Sequence, residues 1–385
     1  MENISVSRMK TFHGCKLAYN YTYVDKFIKV DDTPADVTNK GLVMHETFEA
    51  LTHYENYPKQ APDYVKDEKG NFVTDSKGNK IEDWGEPSLP YRVATQEVVR
   101  ECFRKAMESN KLPTKCVEEF NLTLGVKRWL SFKHDYLDKR GNIIYAEKEY
   151  KEYLFGKTKT TTILDLLEDT GDGNFVIYDY KTPQSIDMNR YKTQLLVYVY
   201  MMAIVKGLIK PVEGLAKKPK SNTNKPMYEP VGVSTIGSAT VGPQAYVEEE
   251  PPVRDEFKQI VDHFKCFVFF PLCKGKHEDY KKSLVELEFT AKEIQDAVSE
   301  LQTCAEEVDA FNFAKPAEAL QPVKMDFTCK WCNYYGAEPQ LDIGFQGCPI
   351  SYAAFSRNAG YISPTYTRPE GWNPPTRNFP KVGTE

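Results

Sequence analysis

The stretch "NFVIYDYKTPQS", residues 174–185, decides how the rest of the chain is read. Phe175, Val176 and Ile177 are aromatic or β-branched, and Pro183 stops the run, so it reads as a strand. Side chains alternate along a strand. Asp179 and Lys181 therefore point the same way as Phe175 and Ile177, which puts a carboxylate and an ammonium at the rim of a core-facing row. On its own, this pattern also fits a structural ion pair at a strand end. The residues around it have to decide.

Upstream, "TKTTTILDLLED" (158–169) reads as a neighbouring strand, and "NIIYAEKEYKEYLF" (142–155) as a third. "TGDGN" (170–174) separates the 158–169 strand from the 174–185 stretch as a turn. Asp165 stands among Ile163, Leu164, Leu166 and Leu167. A lone Asp in an apolar strand is costly to bury without a partner or a metal. Adjacent strands can set Asp165 beside Asp179, and two such carboxylates repel unless a divalent cation lies between them. An oxygen-rich site of this kind suits Mg²⁺ or Mn²⁺ and metal-assisted hydrolysis of a phosphodiester. Lys181 would hold the attacking water or stabilise the developing negative charge.

The organisation further out fits a mixed sheet flanked by helices. "SVSRMKTFHGCKLAYNYTYV" (5–24) reads as one helix capped by Ser5 or Ser7, and "NKGLVMHETFEALTHY" (39–54) as a second. Residues 60–90 are polar, and the echo of "EKGNFV" in "SKGNKI" suggests a hairpin or insert. Residues 92–138 look mainly helical. "YKTQLLVYVYMMAIVKG" (191–207) is a helix ending at Gly207. "FKCFVFFPLCKG" and "KSLVELEFT" read as strands, and "AKEIQDAVSELQTCAEEVDAF" as a helix. The expected division is a single domain over 1–350, with a mainly helical insertion at 36–138, a catalytic core at 143–210, a linker or surface insert at 212–255 and a Cys cluster at 325–350. The Pro-rich, aromatic residues 351–385 would form an extended arm.

Composition bounds the partners. The chain has 385 residues, 41% of them hydrophobic, and a net charge of −5, so a nucleic-acid surface would have to be local. No apolar run approaches the ~20 residues of a membrane span, and the N-terminus lacks a signal-peptide core, which together predict a cytoplasmic protein with no membrane partner. Nine cysteines, an odd number, argue against a disulfide framework and leave metal binding open.

Two more helices add to the acidic pattern. "GLVMHETFE" puts Gly41, His45 and Glu49 on one helix face, and "QLLVY" puts Gln194 one turn before Tyr198, directly after the Asp-Tyr-Lys strand. In this order and at these intervals the sequence resembles the RecB-like exonuclease branch of the PD-(D/E)XK nuclease superfamily, over roughly residues 5–50, 143–205 and 325–350. The resemblance implies an α/β fold with a restriction-endonuclease-like core. It implies metal ligation by His45, Asp165, Asp179 and the backbone carbonyl of Tyr180, with Lys181 as the catalytic lysine. Gln194 and Tyr198 match the helix that supports the site and contacts DNA. Glu147 matches the strand acid, although Glu149 lies on the same expected face. Thr162 stands where the family usually has Gly.

"CKWCNYYGAEPQLDIGFQGCP" (329–349) holds Cys329, Cys332 and Cys348. A Cys-x-x-Cys turn offers two thiolates to one metal, so an iron–sulfur cluster, a zinc site and ordinary buried thiols are all open. AddB-type and CRISPR-associated members of the resembled branch carry a [4Fe–4S] cluster on one N-terminal Cys and three C-terminal ones, the last followed by Pro. The resemblance therefore implies that Cys15, Cys329, Cys332 and Cys348 hold such a cluster, which would staple the two ends of the chain across a loop of roughly 300 residues. Two features depart from that pattern: Lys16, not Pro, follows Cys15, and the interval between Cys332 and Cys348 is longer than usual.

The function so implied is a metal-dependent DNA exonuclease acting at single strands or ends in DNA recombination, repair or replication, with a helicase or recombination protein as a possible partner. A non-catalytic iron–sulfur DNA-end-binding protein and a structure-selective endonuclease are the alternatives.

Overall fold

Phe175, Ile177 and Leu167 belong to one apolar cluster, and Val176, Tyr178 and Leu166 to another. Alternation along these strands thus feeds two cores, one on each face of a sheet covered on both sides. The computed structural model describes residues 3–25, 36–59, 63–67, 69–73, 80, 82–110, 117–155, 158–216 and 251–313. In chain order these form β1 (Asn3–Ile4), α1 (Val6–Gly14), α2 (Lys16–Tyr19), α3 (Asp36–Asn56), β2 (Asp63–Tyr64), β3 (Glu82–Asp83), α4 (Gln96–Ser109), α5 (Val117–Phe132), α6 (Asp138–Arg140), β4 (Ile143–Phe155), β5 (Thr158–Asp169), β6 (Phe175–Tyr180), α7 (Asn189–Val205), α8 (Asp255–Ile260), β7 (Phe264–Phe269), β8 (Leu284–Leu287) and α9 (Ala291–Ala310).

The main sheet runs β1-β5-β6-β7-β8, with β4 also paired to β5. The β4–β5 and β5–β6 pairs are antiparallel and β6–β7 is parallel, so the sheet is mixed, as the alternation of strand and helix patterns predicts. A parallel pair needs a crossover, and α7 lies within the one from β6 to β7. α7 buries Leu195, Val199 and Met202 in the same core as Met9 and Phe12 of α1 and Ile294, Val298 and Leu301 of α9. The opposite face is covered by α3 and α5, where Phe48 stacks on Trp129 with ring centroids 5.2 Å apart and Phe132 on Phe269 at 5.0 Å. The approach is close enough that a Cβ on Gly125 would come within 2.9 Å of Leu272 and 3.0 Å of Met44.

Three expectations are modified. The helix expected over 5–24 is broken at Cys15, which turns extended (φ −158°) and caps α2 by accepting the Ala18 N–H at its Sγ, 3.4 Å away. Ser5 is the cap of α1, and residues Asn20–Val24 close as a π-helix. Secondly, α3 and α5, read as part of a helical insertion, form one of the two layers that bury the sheet. Thirdly, the segment read as a linker from 212 begins as packed chain. Val212 and Leu215 are buried, the Val212 N–H donates to the Tyr200 hydroxyl, and the Leu215 N–H donates to Gln302. The polar 60–90 region contributes a short antiparallel pair, Asp63 opposite Asp83 and Tyr64 opposite Glu82. Residues 217–250, the Cys cluster at 325–350 and the arm at 351–385 lie outside the described residues.

Candidate active site

Besides the register shift between Tyr153 and Phe155, alternation fails at one place in the β4–β5 hairpin. Leu164 and Leu167 lie in one core although they are three residues apart, whereas Leu166, even-numbered like Leu164, lies in the other. The pairing register does not slip: Ala146 faces Leu166 and Lys148 faces Leu164. Instead the pleat inverts between those pairs, at Glu147 and Asp165. Glu147 has φ 45°, in the left-handed region that costs a non-glycine residue about 1–3 kcal/mol. Strain of this kind persists only where the surroundings impose it. Here it carries the two acids to the seam between the covered and uncovered halves of the hairpin.

Beside that seam β5 and β6 part. Their pairing runs from Asp169–Phe175 to Leu166–Tyr178, and beyond it the Asp165 carboxylate takes over from the ladder by accepting the Tyr180 N–H. Asp179 and Lys181 follow on β6 and just past it. Lys181 donates to Asp179 Oδ1 at 2.8 Å, its own N–H is tied to the Phe269 carbonyl, and its ammonium sits 5.3 Å from the centre of the Tyr191 ring. α3 brings His45 from the other side. Its Nδ1 is 3.4 Å from Glu147 Oε1 and 3.6 Å from Asp165 Oδ1. Gly41, one turn earlier on α3, faces Thr182, and a Cβ there would stand 3.3 Å from the Thr182 hydroxyl.

The electrostatics follow from burial. Asp179 is 2% exposed, and burial, reinforced by the charge of Asp165, pushes its carboxyl up to about 6. Burial likewise raises Asp165, against the pull of His45. Burial opposes the charges of His45 and Lys181, yet the carboxylates win in both cases. Asp165 and Glu147 lift the imidazole to about 9, and Asp179 and Asp165 raise the ammonium above its ordinary value. Asp179 Oδ2 is buried without a hydrogen bond, although Lys181 Nζ makes ion-pair contact with it at 2.6 Å.

These residues fit a divalent cation. One ligand atom each from His45, Glu147 and Asp165 lie within 4.8 Å of one another, and Asp179 adds a buried carboxylate in ion-pair contact with Lys181. The donor set is three carboxylates and an imidazole, a hard, mainly oxygen set. Glu147, read from sequence as the strand acid, thus lies among the prospective ligands. Glu149 instead pairs with Lys151 at 2.6 Å, away from this group.

The other sequence-derived residues fall around this group. Gln194 donates its side-chain amide to the Tyr198 hydroxyl one turn on, and burial raises the Tyr198 pKa with Asp179, Asp165 and Glu147 adding to it. The Tyr180 ring is buried against His45 and Phe48, and its hydroxyl accepts from Trp129 Nε1 at 3.3 Å. Thr162 is buried on β5 opposite Tyr150. Cys15 lies at the α1–α2 break, while Cys329, Cys332 and Cys348 lie outside the described residues.

Sequence reading missed two features. Lys10, from α1, donates to the Arg190 carbonyl in the first turn of α7 at 3.2 Å, and its pKa is lowered by burial and by Arg190 and Lys181. A lysine in the amphipathic pattern of α1 gives no signal of this. Glu55, His134 and Asp138 form a second acid–histidine group. The fully buried Lys133 ammonium already neutralises it, in contact with Asp138 and 3.5 Å from Glu55, so this group has its own cation.

The pattern of the PD-(D/E)XK nuclease superfamily matches residues 3–336, and the chain belongs to that superfamily. No curated protein matches the chain. Members of the superfamily are metal-dependent phosphodiester hydrolases that cleave nucleic acid.

Because His45 is held up to about 9, a metal ion that binds it must displace a proton at neutral pH. Mn²⁺ affinity, measured by titration calorimetry without substrate, should therefore rise steadily from pH 6 to pH 9, and His45→Gln should flatten that rise. Equal pH dependence in the two proteins would remove His45 from the ligand set.

Proposed function

We propose, with membership of the PD-(D/E)XK nuclease superfamily as the premise, that this chain is a Mg²⁺- or Mn²⁺-dependent DNA exonuclease of the RecB-like, AddB-type branch. The observation that carries the reading is the convergence of Asp165, Asp179 and Lys181 with His45 and Glu147 at the end of the sheet where β5 and β6 part. His45, Asp165, Asp179 and the Tyr180 carbonyl would hold the ion, with Glu147 beside them. Such an ion, when bound, lowers the pKa of a water and neutralises phosphate oxygens.

The chain's own residues supply the rest. Lys181 is tethered to Asp179 and the Tyr191 ring, so its remaining N–H groups can serve a water or a phosphate oxygen without a search through rotamers. Gln194 and Tyr198 orient each other on the helix beside the acids. The substrate of this reading is DNA, single-stranded or at ends, in recombination, repair or replication. A helicase or recombination protein would supply the bulk DNA affinity that a chain of net charge −5 lacks. The compartment is the cytoplasm, where nine cysteines in odd number stay reduced. A non-catalytic end-binding role is disfavoured because every expected acid, and the lysine, is in place.

The reading includes a [4Fe–4S] cluster on Cys15, Cys329, Cys332 and Cys348. What supports it is where the described chain leads. Phe311 and Phe313, after α9, pack on Phe12 at 5.6 and 6.3 Å, and Phe313 stacks on Tyr19 at 5.6 Å. The segment carrying the three C-terminal cysteines therefore sets out from beside the Cys15 turn.

End-labelled linear single- and double-stranded DNA and closed circular DNA, each with Mg²⁺, Mn²⁺ or EDTA, test the activity. Linear DNA should be degraded from its ends with either metal and untouched in EDTA, and closed circles should survive. Asp179→Asn should abolish cleavage, and Lys181→Ala should slow it by about 10²- to 10³-fold, with DNA binding retained in both. Cleaved circles would overturn the exonuclease reading, and full activity in EDTA the metal.

The cluster has its own assay. Protein purified without air should be brown, with about four irons per chain. Cys15→Ala or Cys348→Ala should bleach it, and Cys266→Ala should not. Stoichiometric zinc without iron would replace the cluster with a zinc site.

A further inference from the structure

We infer that the outward face of the distal β4–β5 hairpin is a track for single-stranded nucleic acid that leads to the candidate active site. This rests on the nuclease reading and extends it to how the substrate is held. The pleat inversion at Glu147 and Asp165 is what creates the surface. Distal to it, Tyr150, Leu154 and Leu164 face the core beneath α7, so the odd-numbered residues from Glu149 to Tyr153 and from Lys159 to Ile163 face outward, up to the register shift that turns Phe155 inward. They form cross-strand pairs in sequence from the acids: Glu149 with Ile163, Lys151 with Thr161, and Tyr153 with Lys159.

Three features of this face match an extended nucleic-acid strand. First, it carries apolar and aromatic side chains along its length: Ile163 is 48% exposed and Tyr153 49%. An exposed tyrosine offers a stacking platform to any base. Secondly, it is basic in a chain that is acidic overall. Lys151 and Lys159 outnumber Glu149, and Lys159 lies over the Tyr153 ring at 5.2 Å, so cation and platform form one unit. The link between Lys151 and Glu149 is an exposed one, worth little, and a phosphate can replace that carboxylate.

Thirdly, the face is continuous with the active site. Thr161 and Ile163 also line a cleft of about 230 Å³ together with Gln194 and Tyr198. At about 3.4 Å per residue, Tyr153 stands ~20 Å along the strand from Glu147. The track therefore reaches several nucleotides beyond the bond being cut. A duplex is too wide to lay both strands on this narrow ribbon, which gains only the two residues of β1 beside Lys159 and Thr160, whereas a single strand presents bases and phosphates in alternation to Tyr153, Ile163 and the lysines.

The full-length protein tests this. Binding of a fluorescein-labelled 20-residue oligothymidylate is measured by anisotropy in EDTA across a salt series, and cleavage of a four-residue oligothymidylate with Mn²⁺ is measured separately. The double variant Lys151→Ala/Lys159→Ala should lower the slope of log affinity against log salt by about 1.4, two single-strand phosphate contacts' worth. Tyr153→Ala should weaken binding by about 5- to 150-fold. Both should melt like the parent, and their loss on the four-residue substrate should be smaller than on the 20-residue one, since the shorter strand covers less of the track. Parent-like 20-residue binding and slope in both variants would overturn the track. A parent protein that cuts no substrate in Mn²⁺ would instead overturn the nuclease reading, and the two failures are thereby distinct.

Discussion

Three carboxylates converge where β6 parts from the β4–β5 hairpin, and that crowding governs the rest of the molecule. Glu147, Asp165 and Asp179 cannot all stay ionised at such range in a largely buried setting unless positive charge is supplied. The protein supplies two cations of its own, His45 and Lys181, from different elements. Their raised pKa values and the raised pKa of Asp179 are two sides of one balance. Asp179 stays raised although Lys181 contacts both of its oxygens, so negative charge is still in excess there, which fits a place that takes one more cation.

Holding that charge in place requires a stiff frame. The left-handed backbone at Glu147 persists because β4 is paired to β5 on both sides of it, with no slip in register. His45 is positioned by α3, whose Phe48 is wedged between Trp129 and the Tyr180 ring. α5 is anchored in turn by Arg128, which donates to the carbonyls of Pro271, Cys273, Gly275 and His277 and so fixes the connection after β7. Lys181 hangs its N–H on β7 as well. The site is thus built on strand ends and a packed helix, with both faces of the sheet covered behind it, and this is what a preorganised arrangement requires.

Much of this was legible because the residues involved violate local expectation. An acid in an apolar strand (Asp165), an acid and a lysine two apart at a strand end, and Gln194 four before Tyr198 each stand out from periodicity, and each lies where that reasoning put it. The choice between Glu147 and Glu149 was not legible, since two residues on one strand face differ only in where along the strand the active site falls. The pleat inversion left one trace, the adjacent Leu166 and Leu167, because both are buried only where both faces are covered. A buried doubled leucine has other causes, so the trace does not suffice alone. The break at Cys15 was hidden because the helical pattern continues on either side of it. The Glu55–Lys133–Asp138 network was illegible for a different reason: its members meet only through the packing of α3 against the α5–α6 turn, and no spacing in the sequence encodes that contact.

The central claim is that this crowded strand end is completed by a divalent cation. A crystal grown with Mn²⁺ and measured at an energy where manganese scatters anomalously addresses it directly. The account predicts an anomalous peak among His45, Asp165 and Asp179 that disappears in Asp179→Asn. A peak elsewhere, for instance at Glu55, His134 and Asp138, with none at the β5–β6 parting, would contradict it.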